Sequence, residues 1–147
     1  MKPRPHAHAR VTRRFSASPE RVFDAWLQPE MIGRWMLGPR VPEDEVVRLA
    51  LDARVGGSFS FAVRRQGDPI DYMGEYLEIN RPRRLVFTWS IRQDAPDSSH
   101  VIVDIAPTES GCELSLTHEL PADRAGYASR TEAAWTEMLD ALAAALQ

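Results

Sequence analysis

The stretch "GEYLEINRPRRLVFTWS", Gly74 to Ser90, decides the fold class of this sequence. Two runs rich in β-branched and aromatic residues flank "NRPR", whose asparagine and proline supply turn chemistry. The stretch therefore predicts two antiparallel strands joined by a tight turn. It also places Tyr76, Phe87 and Trp89 beside charged residues. Such rings either fill an ordinary core or line a hollow one.

Two further pairs of strand-like segments surround this hairpin. "EVVRLALDA" and "GSFSFAVRRQ" meet at Gly56 and Gly57, which tolerate the positive φ of tight connections. "HVIVDIAP" and "CELSLTHEL" flank "TESG" in the same way. Three antiparallel hairpins follow, and the period of two gives their sheet one apolar face. We expect that face to carry Phe59, Phe61, Val63, Leu85, Phe87, Trp89, Ile91, Val101, Val103, Ile105, Leu114, Leu116 and His118.

Shorter elements precede the hairpins. "RVTRRFS", Arg10 to Ser16, alternates like a first strand. Ser18 then offers an N-cap and Pro19 suits the first helical position, so a short helix is predicted within "SPERVFDAWLQ". "PEMIGRWM" predicts a second short helix, which "GPRVP" ends.

One long helix is predicted at the end of the chain, between Pro121 and Gln147. It is the only long element available to cover the apolar face of the sheet. We therefore expect an α+β fold with a single domain over residues 10–147, preceded by a flexible tail over residues 1–9. The apolar side of the helix repeats at i, i+3, i+4, i+7 and i+11: Trp135, Met138, Leu139, Leu142 and Leu146.

Composition excludes several classes of protein. A chain of 147 residues with 44% apolar residues suits one globular domain. A formal charge of −3 provides no basic excess, so we expect neither a nucleic-acid partner nor an anionic membrane. The single cysteine, Cys112, has no intrachain disulfide partner and indicates a reducing cytoplasm. No stretch approaches the ~18 apolar residues of a membrane span.

Motifs for metal binding and covalent catalysis are missing from the sequence. His6 and His8 alternate near the N-terminus, but no third ligand stands close by, so we assign no metal. We find no nucleophile elbow and no phosphate-binding glycine loop. Cys112 has no neighbouring cation in its strand. We expect no cofactor and assign no catalytic residue.

Five segments in order carry a family resemblance: "TRRFSASPERVFDAW", "PEMIGRW", "LDARVGGSFSF", "GEYLEINRPRRLVFTW" and "AAWTEMLDALAAAL". From Val11 to Leu146 the chain resembles the activator of heat-shock-protein ATPase homologue-like family. That family belongs to the helix-grip superfamily of START lipid-transfer domains, birch-pollen-type allergens and polyketide cyclases. The resemblance implies a curved seven-stranded antiparallel sheet around a long C-terminal helix, with two short helices after strand one.

The resemblance also implies a lumen between sheet and helix. Two positions depart from the family pattern: Met36 stands where a second tryptophan is usual, and Ala134 stands where a glycine is usual. Aromatic and aliphatic side chains suit the wall of a pocket for an apolar ligand. The residues expected to line the lumen are Trp26, Trp35, Met36, Phe59, Phe61, Phe87, Trp89, Trp135, Met138 and Leu139.

Two basic residues stand among the apolar ones. Arg13 shares its strand face with Val11 and Phe15, where its guanidinium would clamp a ligand carboxylate or, alternatively, reach past the strand end to water. His118 closes the apolar series of its strand near the expected cavity mouth. It would donate to a ligand or act as a base, or it is a structural histidine with satisfied hydrogen bonds.

The strand within "IDYMGEYLEI" holds the third polar candidate. Strict alternation puts Glu75 on the same face as Met73, Leu77 and Ile79, so that it is either a buried carboxylate or an exposed one on a twisted edge. Alternation turns Tyr72 and Tyr76 to the other side, but a glycine between them is able to bend or bulge the strand. Their orientation stays open at the level of sequence.

Three functions compete. The leading hypothesis is a binding domain that selects an apolar or aromatic small molecule by lumen shape and orients it with Arg13 or His118. The alternative is a cavity enzyme of the cyclase, dehydratase or hydrolase type with His118 or Glu75 as base. The third is a chaperone partner that activates a heat-shock ATPase, as the family name suggests. A homodimer is left open.

Overall fold

The computed structural model describes residues 7–37, 45–65, 67–91, 99–120, 126 and 128–146. The "GPRVP" segment and His6 lie outside the described residues. Within the described ranges the chain forms seven strands, three α-helices and one π-helical turn. In chain order these are β1 (Ala7–Phe15), α1 (Pro19–Asp24), α2 (Pro29–Ile32), the π-helical turn (Gly33–Leu37), β2 (Glu45–Leu51), β3 (Ser58–Arg65), β4 (Asp68–Asn80), β5 (Arg84–Ile91), β6 (Ser99–Thr108), β7 (Gly111–Leu120) and α3 (Ala128–Ala145).

The seven strands form one curved antiparallel sheet in the order β1-β7-β6-β5-β4-β3-β2. Strands β2 to β7 are neighbours in chain order, as the predicted hairpins require. β1 pairs with β7 at the opposite edge from β2, so the connection that holds α1 and α2 leads from one edge of the sheet to the other. The predicted α+β helix-grip fold is confirmed.

β1 begins at Ala7, three residues before the predicted start. Residues 7–9, expected as tail, pair with residues 118–120 of β7. Ala9 is fully buried in this pairing. The expected boundary of the tail is wrong by these three residues, because the hydrogen-bonded ladder with β7 extends toward the N-terminus beyond the first bulky apolar residue of β1.

The first helix is short because its backbone tightens before Pro29. Ser18 caps it as predicted, with the side-chain oxygen accepting from the backbone N–H of Arg21 at 3.2 Å. After Asp24 the backbone bonds change to the i→i+3 type, from Trp26 N to Phe23 O and from Leu27 N to Asp24 O. This turn delivers the side chain of Trp26 into the core, where it is 3% exposed.

β4 departs from strict alternation through a β-bulge. Tyr76 pairs with Phe87, and Ile79 pairs with Leu85. Two residues lie between Tyr76 and Ile79 on β4, but only one residue lies between their partners on β5. Tyr76 and Ile79 therefore both lie on the inner face. The alternation that we had assigned by counting back from Ile79 is wrong on the N-terminal side of the bulge, because an extra residue reverses every face.

α3 buries its apolar side in the same core as the inner face of the sheet. The predicted stripe Trp135, Met138, Leu139, Leu142 and Leu146 is buried throughout. No helix in the described ranges is both long and apolar enough to cross a membrane.

Candidate ligand site between the sheet and the long helix

Nine of the chain's twelve aromatic residues contact one another on the inner side of the sheet. They come from five different elements and from the turn after α1, so the fold alone brings them together. Ring centroids of neighbouring pairs are 4.6 to 6.4 Å apart. We call this set the aromatic cluster: Trp26, Trp35, Phe59, Phe61, Tyr72, Tyr76, Phe87, Trp89 and Trp135.

Trp26 contacts three other rings of the aromatic cluster. Its ring meets Trp35 edge-on with centroids 4.6 Å apart and stacks on Trp135 at 5.9 Å. Trp89 continues from Trp135 and stacks on Tyr72 at 5.2 Å. Trp89 and Tyr72 are only partly buried, so the cluster reaches the protein surface at this pair.

Gly74 allows the Phe59 ring to lie directly over β4. A Cβ atom at this position would lie 2.6 Å from Cζ of Phe59 and would overlap the carbonyl oxygen of Thr88. The glycine is therefore required by close approach of a ring and of the next strand. Phe59 uses the space to contact Tyr76 and Phe87.

His118 joins the aromatic cluster through a buried chain of hydrogen bonds. The indole Nε1–H of Trp135 donates to Nδ1 of His118 at 3.0 Å. Nε2 of His118 lies 2.6 Å from Oγ of Ser99, whose hydroxyl donates to the carbonyl oxygen of Trp89 at 3.0 Å. His118 is 4% exposed and Ser99 is 8% exposed, so the chain is shielded from water.

This chain fixes the tautomer of His118. An indole N–H only donates, so Nδ1 accepts and carries no proton. The neutral ring must then carry its proton on Nε2, and this N–H donates a hydrogen bond to Oγ of Ser99. The Ser99 hydroxyl in turn donates a hydrogen bond to the carbonyl oxygen of Trp89. Burial lowers the pKa of His118 to about 4, in agreement with a neutral ring. Both ring nitrogens are occupied, which supports the structural interpretation of His118 over the catalytic one.

The indole hydrogens of the cluster differ in their partners. Trp35 donates to the carbonyl oxygen of Ala25 at 3.0 Å, and Trp135 donates to His118. Nε1 of Trp26 is buried and finds no acceptor in the part of the chain that the structure describes. A buried donor without an acceptor costs free energy, so this N–H is available to a bound molecule.

Arg13 does not lie as expected. Its Nε is 3.0 Å from Oδ1 of Asp140 on α3, and its guanidinium carbon is 5.7 Å from the Phe15 ring centroid. The contact has the distance of an ion pair without the alignment of a hydrogen bond. The chain itself thus supplies the carboxylate that we had expected from a ligand.

Glu75 is exposed, and its assignment to the lumen is wrong. Tyr76 next to it is 2% exposed and takes the inward position. The cause is the bulge in β4, which reverses the face expected for Glu75. Burial raises the pKa of the Tyr76 hydroxyl, as expected for a phenol among rings.

The remaining predicted lining residues are all buried in one core with the aromatic cluster: Trp26, Trp35, Met36, Phe59, Phe61, Phe87, Trp135, Met138 and Leu139. Ala134 packs against this core. Two pockets of about 270 and 250 Å³ lie elsewhere, one between α1, α2 and the end of α3, the other at β2 to β4. The hollow lumen itself stays a prediction. The described residues hold no group of three or more potential metal ligands.

Sequence reasoning missed Ser99 and left the two tyrosines open. Ser99 precedes Val101 by two residues and therefore continues the inner face of β6, which is a signal that alternation provides. The inward position of Tyr76 depends on the bulge, for which the sequence holds no distinct signal. Tyr72 faces inward because it pairs with Phe61 on β3.

A curved antiparallel sheet that holds a long C-terminal helix over an apolar core defines the helix-grip class. The chain belongs to one family within it, the Activator of Hsp90 ATPase homolog 1-like proteins, whose profile matches residues 16–147. The resemblance identified from the sequence is confirmed.

Several solved structures are similar to the chain. A crystal structure of a Chromobacterium violaceum protein shares 27% identity, covers 94% of this chain and 96% of its own, and has a TM-score of 0.80. The crystal structure of the AHSA1 protein from Silicibacter pomeroyi shares 28% identity over 95% and 97% of the two chains, with a TM-score of 0.77. An AHSA1-like protein from Aeromonas hydrophila, at 22% identity, 92% and 89% coverage and a TM-score of 0.75, has the same fold. Among curated proteins, none matches this sequence.

Proposed function

We propose that the chain binds a small apolar or aromatic molecule at the aromatic cluster, between the sheet and α3. The observation that carries the proposal is the concentration of nine rings on one side of the sheet. Pockets for small molecules are lined mainly by apolar and aromatic side chains with a few polar groups, and rings supply large contact areas. The half-buried pair Trp89 and Tyr72 is the proposed entrance, since the cluster reaches the surface there.

Catalysis by the expected bases has little support from the geometry. Glu75 lies on the outer side of the sheet. His118 would act as a base through Nδ1 only after losing the hydrogen bond from Trp135, and its lowered pKa makes it a weak base. The same tautomer argues against Ser99 as a nucleophile, because Nε2 donates to its oxygen instead of accepting its proton. Binding without turnover is the better supported function.

The test is ligand-dependent stability. A panel of aromatic and fatty molecules, neutral and carboxylate, is added to the protein while its melting temperature is recorded. A molecule that binds only the folded state stabilises it by about 2.7 kcal/mol at a hundredfold excess over its dissociation constant. In a domain of this length, that raises the melting temperature by roughly 5–10 °C. Trp89→Phe should change the shift, since it alters the proposed wall at the entrance.

A chaperone assay is the second arm of this test. The family description names an activator of the Hsp90 ATPase, so the protein is added to purified Hsp90 with ATP. We expect no stimulation that depends on the aromatic cluster. Stimulation of the ATPase, together with a panel that leaves the melting temperature unchanged, would replace ligand binding with a co-chaperone role.

We propose a reducing cytoplasm as the location of the protein, because its one cysteine is buried and unpaired.

A further inference from the structure

We propose that the molecule bound at the aromatic cluster is neutral and carries an acceptor oxygen, such as a ketone carbonyl. This oxygen accepts a hydrogen bond from the indole N–H of Trp26. This inference rests on the proposed function and adds the chemical class of the ligand. It also names the residue that recognises the polar group of that ligand.

The unmet donor at Trp26 is the first observation behind this inference. The residue is 3% exposed and its Nε1 is buried without a hydrogen-bond acceptor among the described residues. The indoles of Trp35 and Trp135 lie against Trp26, and each of them donates to a chain oxygen or nitrogen at 3.0 Å. Folding therefore satisfies two donors of this group and leaves the third without a partner. Buried donors are nearly always paired in folded proteins, so this exception points to a group from outside the chain.

The surroundings of Trp26 select a neutral, ring-bearing ligand. Its ring contacts Trp35, Phe87 and Trp135, so a molecule that reaches Nε1 passes among aromatic faces. An ion placed there would lose its hydration without a paired charge. Arg13, the cation expected to meet a carboxylate, is paired with Asp140.

His118 adds no charge at the other end of the cluster. Its ring is neutral, and both nitrogens are committed to Trp135 and Ser99. A ligand acceptor has nothing to gain from it, whereas the indole hydrogen of Trp26 has no acceptor among the described residues. An aryl ketone matches this combination of aromatic walls and one neutral donor.

The experiment is a cycle of two ligands and two proteins. Benzophenone and diphenylmethane present the same two rings, but only benzophenone has a carbonyl oxygen. Their dissociation constants are measured by calorimetry for the wild type and for Trp26→Phe, which keeps a ring but removes the donor. The preference for the ketone over the hydrocarbon should be about five- to tenfold larger in the wild type, as one neutral hydrogen bond provides. The cycle cancels the different hydration of the two ligands.

Trp35→Phe is the matched control. It removes an indole from the same contact, but that indole already donates to the carbonyl oxygen of Ala25. It should change the affinity for both ligands together and keep the wild-type preference for the ketone. An equal loss of preference in both variants would show that ring packing, and not the donor of Trp26, sets the preference.

A second measurement needs no variant and covers the case in which Trp26→Phe fails to fold. The infrared carbonyl stretch of ¹³C-labelled benzophenone bound to the wild type should lie below its value in a hydrocarbon solvent, because a hydrogen bond weakens the carbonyl bond. A stretch at the hydrocarbon value overturns the inference while the proposed function stands. A panel in which no molecule binds overturns both.

Discussion

Trp135 and Trp26 stack on each other with centroids 5.9 Å apart, yet the two ends of the aromatic cluster that they occupy differ in hydrogen bonding. At the Trp135 end, a closed chain runs through His118 and Ser99 to the carbonyl oxygen of Trp89. At the Trp26 end, the indole donor has no acceptor within the part of the chain that the structure describes. The difference divides one core into two parts: the closed end connects α3 to the sheet, and the open end is the one at which we propose that a ligand binds.

The largest expected effect comes from breaking the closed end. Trp135→Ala should lower the free energy of unfolding by about 3–5 kcal/mol, since it removes a buried ring and leaves Nδ1 of His118 without a donor. Denaturant unfolding measures it. Trp26→Ala removes a ring of the same size but no hydrogen bond, so it should cost about 1 kcal/mol less. Equal losses would remove the distinction between the two ends.

The second prediction uses pH to open the same end. Unfolding returns the pKa of His118 from about 4 to an ordinary value near 6.5, so between these pH values only the unfolded state binds the proton. This contribution to stability is complete above pH 6.5, falls as the pH drops towards 4, and amounts to about 3 kcal/mol.

His118→Gln serves as the comparison for the pH effect. The variant lacks the titrating ring, so between pH 7 and pH 4 the wild type should lose about 3 kcal/mol more of its unfolding free energy than the variant does. Parallel stability curves for the two proteins would mean that His118 is not held neutral by the fold.

A smaller loss is expected at the far end of the hydrogen-bond chain. Ser99→Ala leaves the Nε2–H of His118 without its acceptor and removes a donor to the Trp89 carbonyl oxygen, at a cost of about 1–3 kcal/mol. Ser90→Ala is the control, because that hydroxyl lies 3.4 Å from the carbonyl oxygen of Met73 and should matter by less than about 0.5 kcal/mol. Matching unfolding midpoints for the two variants would count against the chain.

Arg13→Ala should have the smallest effect. The side chains of the Arg13–Asp140 pair are 36% and 61% exposed to water, and exposed ion pairs contribute about 0–1 kcal/mol. Because this guanidinium is paired within the chain, the variant should also leave the affinity for aromatic carboxylates unchanged. A selective loss of carboxylate binding would return Arg13 to the ligand site and weaken the case for a neutral ligand.

Turn chemistry predicted the hairpins, and periodicity predicted the inner faces of β3, β5, β6 and β7 and the apolar stripe on α3. The prediction holds because no residue is inserted into these elements that would interrupt their regular period. β4 was predicted wrongly from the same rule. Its bulge adds one residue opposite Val86, reverses the faces before it, and turns Glu75 outward and Tyr76 inward.

Charge partners were also beyond the sequence pattern. Arg13 and Asp140 are far apart in the chain and meet only when α3 packs near β1, so no local spacing relates them. The pairing of His118 with Trp135 has the same character. Periodicity predicts which face a side chain occupies, but the partner on that face depends on how two elements pack against each other.

The most direct test of the account is a ¹⁵N–¹H spectrum of the four indole groups, recorded with and without the strongest ligand of the panel. We expect the Trp26 signal to move to a lower field on binding of a ketone, as a new hydrogen bond requires, while the Trp135 signal stays near its place. Movement of the Trp135 signal with a stationary Trp26 signal would contradict it, since the ligand would then be bound at the closed end.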